Sequence, residues 1–232
     1  MILEGVPVYG EEANPTQQIE ENVQDEVQDN KQKDNIALQS DVATTASGQC
    51  GENAYWELTS DGVFTIYGTG PMTRYGYDWD DYTPKHDWNV YLKTIKKVVV
   101  EDGITTISPY SFYGSTSLKE VVIPKSVTQI GEDAFQWCKN VEKVSIDGLE
   151  SWCRIEFENN NSNPLQFGAD LYIGGTKAIQ LNIPEGITEI KNYTFARNVN
   201  ENTVLSITGV HLPDTIVKIG KSAFGGNHMK SF

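Results

Sequence analysis

A 23-residue repeat constrains the fold of this chain more than any other feature of its sequence. Val98, Val121 and Val144 follow one another at intervals of 23 residues. An isoleucine followed five residues later by a phenylalanine also recurs, at Ile107/Phe112, Ile130/Phe135, Ile190/Phe195 and Ile219/Phe224. Repetition at such a period indicates a solenoid, in which each unit stacks only on its neighbours.

Each repeat unit reads as a strand followed by a turn. Leu118, Val121 and Ile123 alternate as in a strand, and the spacing from Ile130 to Phe135 suits a turn and a short helical or 3₁₀ piece. One such unit cannot bury both edges of its own core, so its apolar side chains must lie on their counterparts in the next coil. We therefore predict a mostly β solenoid with short helical turns.

The repeat is interrupted after its third strand. Pro124 and Pro184 are 60 residues apart, which leaves room for one 23-residue unit and one unit of 37 residues. The step from Pro184 to Pro213 is 29 residues, and its six extra residues fit the polar run 197–203. We predict an enlarged third coil and a surface loop.

The chain divides into three segments by composition. Residues 1–47 hold ten acidic and two lysine residues with few apolar ones, which predicts a disordered acidic tether. Residues 48–96 begin with two alternating segments around Asp61-Gly62, which predicts a β-hairpin capping module that carries an aromatic loop. Residues 97–232 form the predicted solenoid of about five coils, of which the last is incomplete.

Charge and motif content exclude several classes of function. The net charge of −14 opposes contact with nucleic-acid phosphates and anionic bilayers, and no apolar run approaches the roughly 20 residues of a membrane span. The cysteines and histidines lack the spacing of zinc, dithiol or metalloprotease motifs, and nucleophile-elbow and phosphate-loop patterns are missing. We therefore expect no catalytic residues, no cofactor and no bound metal.

Cys138 occupies a repeat position that holds Ser115, Asn198 and Asn227 in other coils. These side chains are small, and they are polar or polarizable. We expect this position to satisfy a buried backbone group, so the thiol of Cys138 has a structural role rather than a reactive one.

The segment 121–138, VVIPKSVTQIGEDAFQWC, resembles the BspA-like, or treponemal-type, class of leucine-rich repeats. The likeness is specific over residues 98–146 and 181–227 and loose between them. Residues 50–72 are similar to the N-terminal module that precedes such repeats in secreted bacterial surface proteins. The resemblance implies a right-handed leucine-rich-repeat solenoid of a bacterium or protozoan, extracellular or at the cell surface. Adhesion or host-protein binding is the commonest role that it implies, and it supplies no catalytic residues.

Alternation along the predicted strands identifies a candidate binding face. Side chains that point out of the core would line the concave side of the repeat sheet. We predict that this face binds a protein, such as a host extracellular matrix protein or another surface protein; a merely solvated sheet face remains the alternative. Its residues are Lys97, Val99, Lys119, Glu120, Val122, Lys143, Ser145, Gln180, Asn182 and His211.

The aromatic loop between residues 75 and 91 is a second candidate site. Its candidate ligand residues are Tyr75, Tyr77, Trp79, Tyr82 and Trp88. They would suit a carbohydrate-binding or capping unit, possibly one attached to a larger surface enzyme. The favoured alternative is a packed lid over the first coil, and calcium binding by Asp78, Asp80 and Asp81 is a weaker one.

Two expectations concern the ends of the chain. The N-terminus lacks the regions of an intact signal peptide, so we expect a signal that was removed or lies upstream. The sequence stops eight residues after Phe224, before the next inward strand is complete. We therefore expect either a fragment of a longer array or self-association through the open last coil.

Overall fold

The computed structural model describes residues 42–198 and 206–227. The predicted tether therefore lies largely outside the described residues, as does the polar loop after Asn198. The predicted boundary at Gly48 is four residues too late, because strand β1 begins at Thr44. It pairs with the next strand, β2, from Thr44↔Thr59 to Gln49↔Tyr55, and so covers an edge that would otherwise be open.

Short strands make up most of the described structure. The N-terminal module contains β1 (Thr44–Gln49), β2 (Asn53–Thr59), β3 (Val63–Pro71), β4 (Tyr77–Asp78), β5 (Thr83–Pro84) and a 3₁₀ turn (Asn89–Tyr91). The first repeats contain β6 (Lys97–Val100), β7 (Ile104–Ile107), β8 (Glu120–Ile123), β9 (Gln129–Ile130) and β10 (Lys143–Ile146). The enlarged coil adds α1 (Leu149–Arg154), β11 (Glu156–Phe157), a 3₁₀ turn (Asn160–Ser162), β12 (Asp170–Ile173) and β13 (Thr176–Lys177). The last repeats contain β14 (Gln180–Asn182), β15 (Glu189–Ile190), β16 (Gly209–His211) and β17 (Lys218–Ile219).

Each of the first coils supplies one strand to each of two parallel arrays. Sheet A runs β3-β6-β8-β10-β12, and sheet B runs β3-β7-β9-β11. Strand β3 belongs to both, because Val63–Ile66 pair with β6 whereas Gly70 and Pro71 pair with β7. The cap hairpin is therefore continuous with the solenoid, as the solenoid's need for a covered end requires.

The predicted hairpin is confirmed. Strands β2 and β3 pair antiparallel from Leu58↔Phe64 to Asn53↔Thr69. Gly62 lies in the turn with φ 92°, a conformation that side chains with a Cβ rarely adopt. A Cβ there would also lie 2.7 Å from the carbonyl oxygen of Thr94, so the turn requires glycine.

The repeated phenylalanine rings stack between adjacent coils, as the repeat register predicts. Phe112 and Phe135 lie 5.3 Å apart between ring centroids, and Phe195 and Phe224 lie at the same distance with 9° between their planes. Phe112, Phe135 and Phe195 are fully buried. Because each ring contacts its equivalent in the next coil, stability rests on the interfaces between neighbours.

The segment between the isoleucine and the phenylalanine forms a turn, and the helical pieces that the structure describes lie elsewhere. The residue two positions before each repeated phenylalanine is left-handed: Tyr110, Asp133, Tyr193 and Ser222 have φ between 50° and 62°. A left-handed residue ends a right-handed helix, which is why these segments remain turns.

The carbonyl oxygen of the repeated phenylalanine accepts a side-chain hydrogen bond from the following coil. The thiol of Cys138 donates to Phe112 O at 3.0 Å, and the amide of Asn227 donates to Phe195 O at 2.6 Å. In the enlarged coil Gln166 donates to Phe135 O at 2.9 Å. The expectation that this position satisfies a buried backbone group is thus confirmed for Cys138 and Asn227.

The 37-residue unit contains a complete coil and an inserted hairpin. Leu171 of β12 pairs with Val144 of β10, 27 residues earlier, and so continues sheet A. Gly174 and Gly175 then turn the chain into β13, which pairs antiparallel with β12. The next inward residue, Leu181, pairs with Val210 in a separate two-stranded sheet. The hairpin therefore ends the described part of sheet A.

Polar side chains connect the enlarged coil to the next one. The indole of Trp152 donates to Thr194 O at 3.0 Å, and the amide of Asn163 donates to the same oxygen at 3.0 Å. The buried guanidinium of Arg197 donates to Ala169 O at 2.8 Å and to Leu165 O at 3.3 Å. These bonds satisfy carbonyls that the regular backbone pairing cannot reach.

The last described coil is less covered than the others. Ile219 is 51% exposed, whereas its equivalents Ile107, Ile130 and Ile190 are at most 1% exposed. Strand β17 pairs only with β15 among the described strands. The inward face of this coil therefore leaves apolar surface open within residues 206–227.

The stacking register can be tested by comparing an inward residue with an outward one. We expect Phe135→Ala to lower the free energy of unfolding by about 3–5 kcal/mol, because it opens a cavity beneath Phe112. Lys119→Ala should cost under about 0.5 kcal/mol, since its ion pair with Glu142 is exposed. Urea denaturation measures both, and small equal effects would contradict the register.

Candidate functional site

The outer face of sheet A carries a row of alternating charges. Strand pairing brings Lys97 next to Glu120, Glu120 next to Lys143, and Lys143 next to Asp170. Glu120 lies 3.4 Å from the Lys97 ammonium and 3.1 Å from that of Lys143, and Lys177 lies 2.5 Å from Asp170. We call these five residues the charge row. It holds three lysines and two carboxylates, so it lacks the acidic excess of the whole chain.

Pairing across the coils also sets the protonation of the central carboxylate. Burial alone would raise the pKa of Glu120. Hydrogen bonding from Lys143 and the charges of Lys97 and Lys143 outweigh burial, and the pKa lies below its ordinary value. Glu120 therefore stays ionised at neutral pH, and the charge row keeps its alternation.

A second row of half-buried side chains runs beside the charge row. Its members, one per strand of sheet A, are Thr65, Val99, Val122, Ser145 and Tyr172, and we call them the central row. The Lys143 ammonium lies 5.0 Å from the centroid of the Tyr172 ring, which links the two rows. The face thus combines an apolar strip with a flanking charged strip, an arrangement that protein interfaces use.

The structure brings most of the predicted face residues together. Lys97, Val99, Glu120, Val122, Lys143 and Ser145 share the outer face of sheet A. Lys119 precedes β8 and lies 2.5 Å from Glu142 at the edge of this face. Gln180, Asn182 and His211 are exposed but belong to the separate sheet of β14 and β16, beyond the inserted hairpin.

Sequence reasoning missed two residues of this face. Asp170 and Tyr172 lie on β12, inside the unit where the 23-residue register fails. The alternation in Leu171-Tyr172-Ile173 was the available signal, but only strand pairing shows that this segment aligns with Val144.

Trp88 does not belong to an exposed ligand loop, and its assignment there is wrong. Its side chain is 0% exposed, and its indole nitrogen donates to Ser111 O at 2.7 Å. The His86 ring stacks on it with centroids 4.1 Å apart. Tyr75 contacts the same indole edge-on, and its backbone N–H donates to Ser108 Oγ at 2.8 Å. These contacts make the loop a packed lid over the first coil, the favoured alternative.

The outer part of the lid is exposed. Trp79 is 67% exposed and Tyr82 is 73% exposed, whereas Tyr77 is half-buried. Tyr77 Oη donates to Tyr82 O at 2.7 Å, which holds the two residues together. The predicted aromatic loop is therefore divided into a buried anchor and an exposed tip.

The aspartates of the lid have local partners. Asp78 forms an ion pair with Lys85 at 2.9 Å, and Asp81 accepts hydrogen bonds from the backbone and hydroxyl of Thr83. Across residues 42–198 and 206–227, no group of three or more His, Cys, Asp or Glu side chains is arranged to hold a metal ion. Helices in the same residues are all too short or too polar to cross a membrane.

The buried titratable groups are held in their neutral forms. Burial raises the pKa of the Cys50, Cys138 and Cys153 thiols to about 12, so they stay protonated at neutral pH. Burial lowers the pKa of His86 to about 4, although its ring nitrogen contacts Tyr110 O at 3.2 Å. These values suit structural roles.

The stacked coils, each built on one repeated sequence motif, define a solenoid repeat protein. The chain belongs to the BspA-type leucine-rich repeat family: the sequence profile described as BspA type leucine-rich repeat region matches residues 90–228 in six copies. A comparison with curated proteins finds no significant match.

Two solved structures are similar to this chain. One is a leucine-rich repeat protein from Eubacterium ventriosum, with 18% identity and a TM-score of 0.35 over 78% of this chain and 64% of the other. Another is a leucine-rich cell surface protein from Faecalibacterium prausnitzii, with 19% identity and a TM-score of 0.36 over 82% of this chain and 48% of the other. The chain thus spans less than two thirds of either protein.

His86 should make the lid sensitive to acid. Its pKa is about 4 in the folded chain and 6.5 in the reference state, so the unfolded chain takes up the proton first as pH falls. Stability is full above pH 6.5 and decreases towards pH 4. Between pH 7 and pH 5 we expect a loss of about 2 kcal/mol from this residue.

The variant His86→Phe isolates this effect, because it keeps a ring against Trp88 but cannot be protonated. Urea denaturation at pH 7 and pH 5 should show a smaller acid loss in the variant than in the parent chain. Equal losses in both proteins would mean that carboxylates alone cause the acid sensitivity.

Proposed function

We propose that this chain is a non-catalytic protein-interaction module that binds its partner through the outer face of sheet A. The observation that carries the proposal is the central row, which places Val99, Val122 and Tyr172 in register across adjacent coils. Isolated surface valines are ordinary, but valines aligned on consecutive rigid strands form a continuous strip. Such a strip can be covered by a partner without rearrangement of the backbone.

Charge supports the choice of a protein partner. The chain carries −14, which repels polyanions, whereas the charge row is nearly balanced and its carboxylates are already paired. A partner that covers the face therefore meets lysines and carboxylates in alternation. Alternating charge contributes mainly to specificity and register, and the central row contributes the buried apolar area.

The proposed location is extracellular or at the cell surface, and the proposed role is adhesion to a host matrix protein or another surface protein. Membership of the BspA-type repeat family supports both. The outer face of sheet A is the primary binding site in this proposal, with Lys119 at its edge. Gln180, Asn182 and His211 would extend the contact onto the sheet of β14 and β16.

The double variant Val99→Asp/Val122→Asp tests the face. Both side chains point outward from sheet A, so the fold should tolerate the change while the apolar strip is lost. We expect at least tenfold weaker binding to purified extracellular matrix proteins immobilised on a biosensor. Thr105→Asp, on sheet B, is the control and should bind like the parent. Equal binding by all three proteins would reject this face.

Self-association through the last coil is a further partner proposal. Exposed Ile219 supports it, because apolar surface at a sheet edge favours pairing. Light scattering at rising concentration should show an increasing mass for the parent chain and a constant mass for Ile219→Lys. The control Val217→Lys changes a more exposed neighbour outside the inward row and should associate like the parent. A parent mass that stays monomeric throughout would contradict the proposal.

A further inference from the structure

The lid and the first coil together present a cluster of aromatic rings at the surface. Tyr77 lies in its centre, with its ring centroid 4.7 Å from Trp79, 5.1 Å from Tyr110 and 5.3 Å from Tyr113. Tyr82, whose backbone oxygen accepts the Tyr77 hydroxyl, lies beside them. We call these five residues the aromatic platform. Two of its rings come from the repeat and three from the lid, so the platform exists only in the folded chain.

The platform is held by contacts beneath and beside it. The β4–β5 hairpin pairs Tyr77 with Pro84, and the Asp78–Lys85 ion pair closes the same hairpin at 2.9 Å. Below it, Trp88 anchors the lid in the core through its bond to Ser111 O. Because these contacts order the rings in advance, a ligand that stacks on them loses little free energy to ordering.

Folding alone would not favour an aromatic side chain at Tyr82. Its φ is 58°, a left-handed conformation that glycine adopts without cost, and its ring is 73% exposed. Trp79 is 67% exposed and also buries little of its ring. Large rings left in water at the tip of an anchored lid provide an open stacking surface for a ligand.

The chemistry around the rings excludes anionic ligands. Asp78, Asp80 and Asp81 lie beside Trp79 in the chain, and Lys85 is already paired with the first of them. The carboxylate of Asp80 has no ion-pair partner among the described residues. Phosphate, sulfate or sialate groups would be repelled here, whereas sugar hydroxyls can donate hydrogen bonds to these carboxylates.

The arrangement of the rings also argues against a cage for a cation. Such a cage requires rings that face a shared empty space. Here the Tyr77 ring fills the centre and packs against Trp79, Tyr110 and Tyr113. What remains open is the outer side of Trp79 and Tyr82, a surface that suits the apolar face of a flat sugar ring.

We propose that the aromatic platform is a binding site for neutral carbohydrate. Trp79 and Tyr82 stack on the sugar rings, and Asp80 and Asp81 accept hydrogen bonds from hydroxyl groups. Tyr77, Tyr110 and Tyr113 support Trp79 from below and fix its orientation. This site lies in the lid and the first turn, apart from the central row, so a glycan and a protein partner would have separate sites.

Affinity gel electrophoresis of the full chain tests the proposal with four neutral polysaccharides: laminarin, mannan, galactan and xyloglucan. We expect at least one of them to retard the protein, and heparin to leave its migration unchanged. Trp79→Ala should weaken the retardation at least tenfold. Tyr82→Gly should weaken it several-fold while its melting temperature stays equal to or above that of the parent, because the left-handed backbone is relieved.

Tyr55→Ala is the matched control, since Tyr55 is a 40% exposed aromatic residue in the cap hairpin, outside the platform. It should bind within twofold of the parent. Failure of all four polysaccharides to retard the parent would overturn the proposal, as would equal losses from Trp79→Ala and Tyr55→Ala. Retardation by a decalysine peptide that depends on Trp79 would assign the platform to a cationic partner instead. The double variant of the central row should retain carbohydrate binding, which separates this result from the proposed protein-binding function.

Discussion

The structure depends on one constraint: each group that faces the next coil must meet its partner one repeat away. In sheet A this constraint aligns Val98 with Val121 and Val121 with Val144. At the opposite corner of the coil it aligns the phenylalanine rings, and the carbonyl of one coil accepts a side-chain hydrogen bond from the next. A constant period satisfies backbone and side chains together, and the core follows from it.

The enlarged coil shows what happens where the period fails. Sheet A continues through β12, 27 residues after β10, and the inserted β12–β13 hairpin then separates it from the sheet of β14 and β16. Backbone pairing cannot cross this step everywhere, so Trp152, Asn163 and Arg197 donate to the exposed carbonyls. Their burial is acceptable because each finds acceptors, and their loss would leave buried carbonyls without donors.

Both candidate surfaces are consequences of the stacking. Parallel pairing in register turns one outward position per strand into the central row and another into the charge row. The lid has a different origin, since it covers the first coil with Trp88 and His86 and leaves Trp79 and Tyr82 outside. A rigid frame of this kind presents side chains with little loss of freedom on binding, which is how a repeat protein forms an interaction surface without a pocket.

The sequence by itself determined the repeat, the family, the cap hairpin and the inward-outward alternation of the first coils. These features are local or periodic, so spacing along the chain contains them. It did not determine that Tyr172 extends the face, that Gln180, Asn182 and His211 belong to another sheet, or that Trp88 is buried. Nor did it show that Tyr110 and Tyr113 meet Tyr77. Only tertiary structure decided these points, because each depends on which segments pair where the period is broken or on contacts between the lid and the repeat.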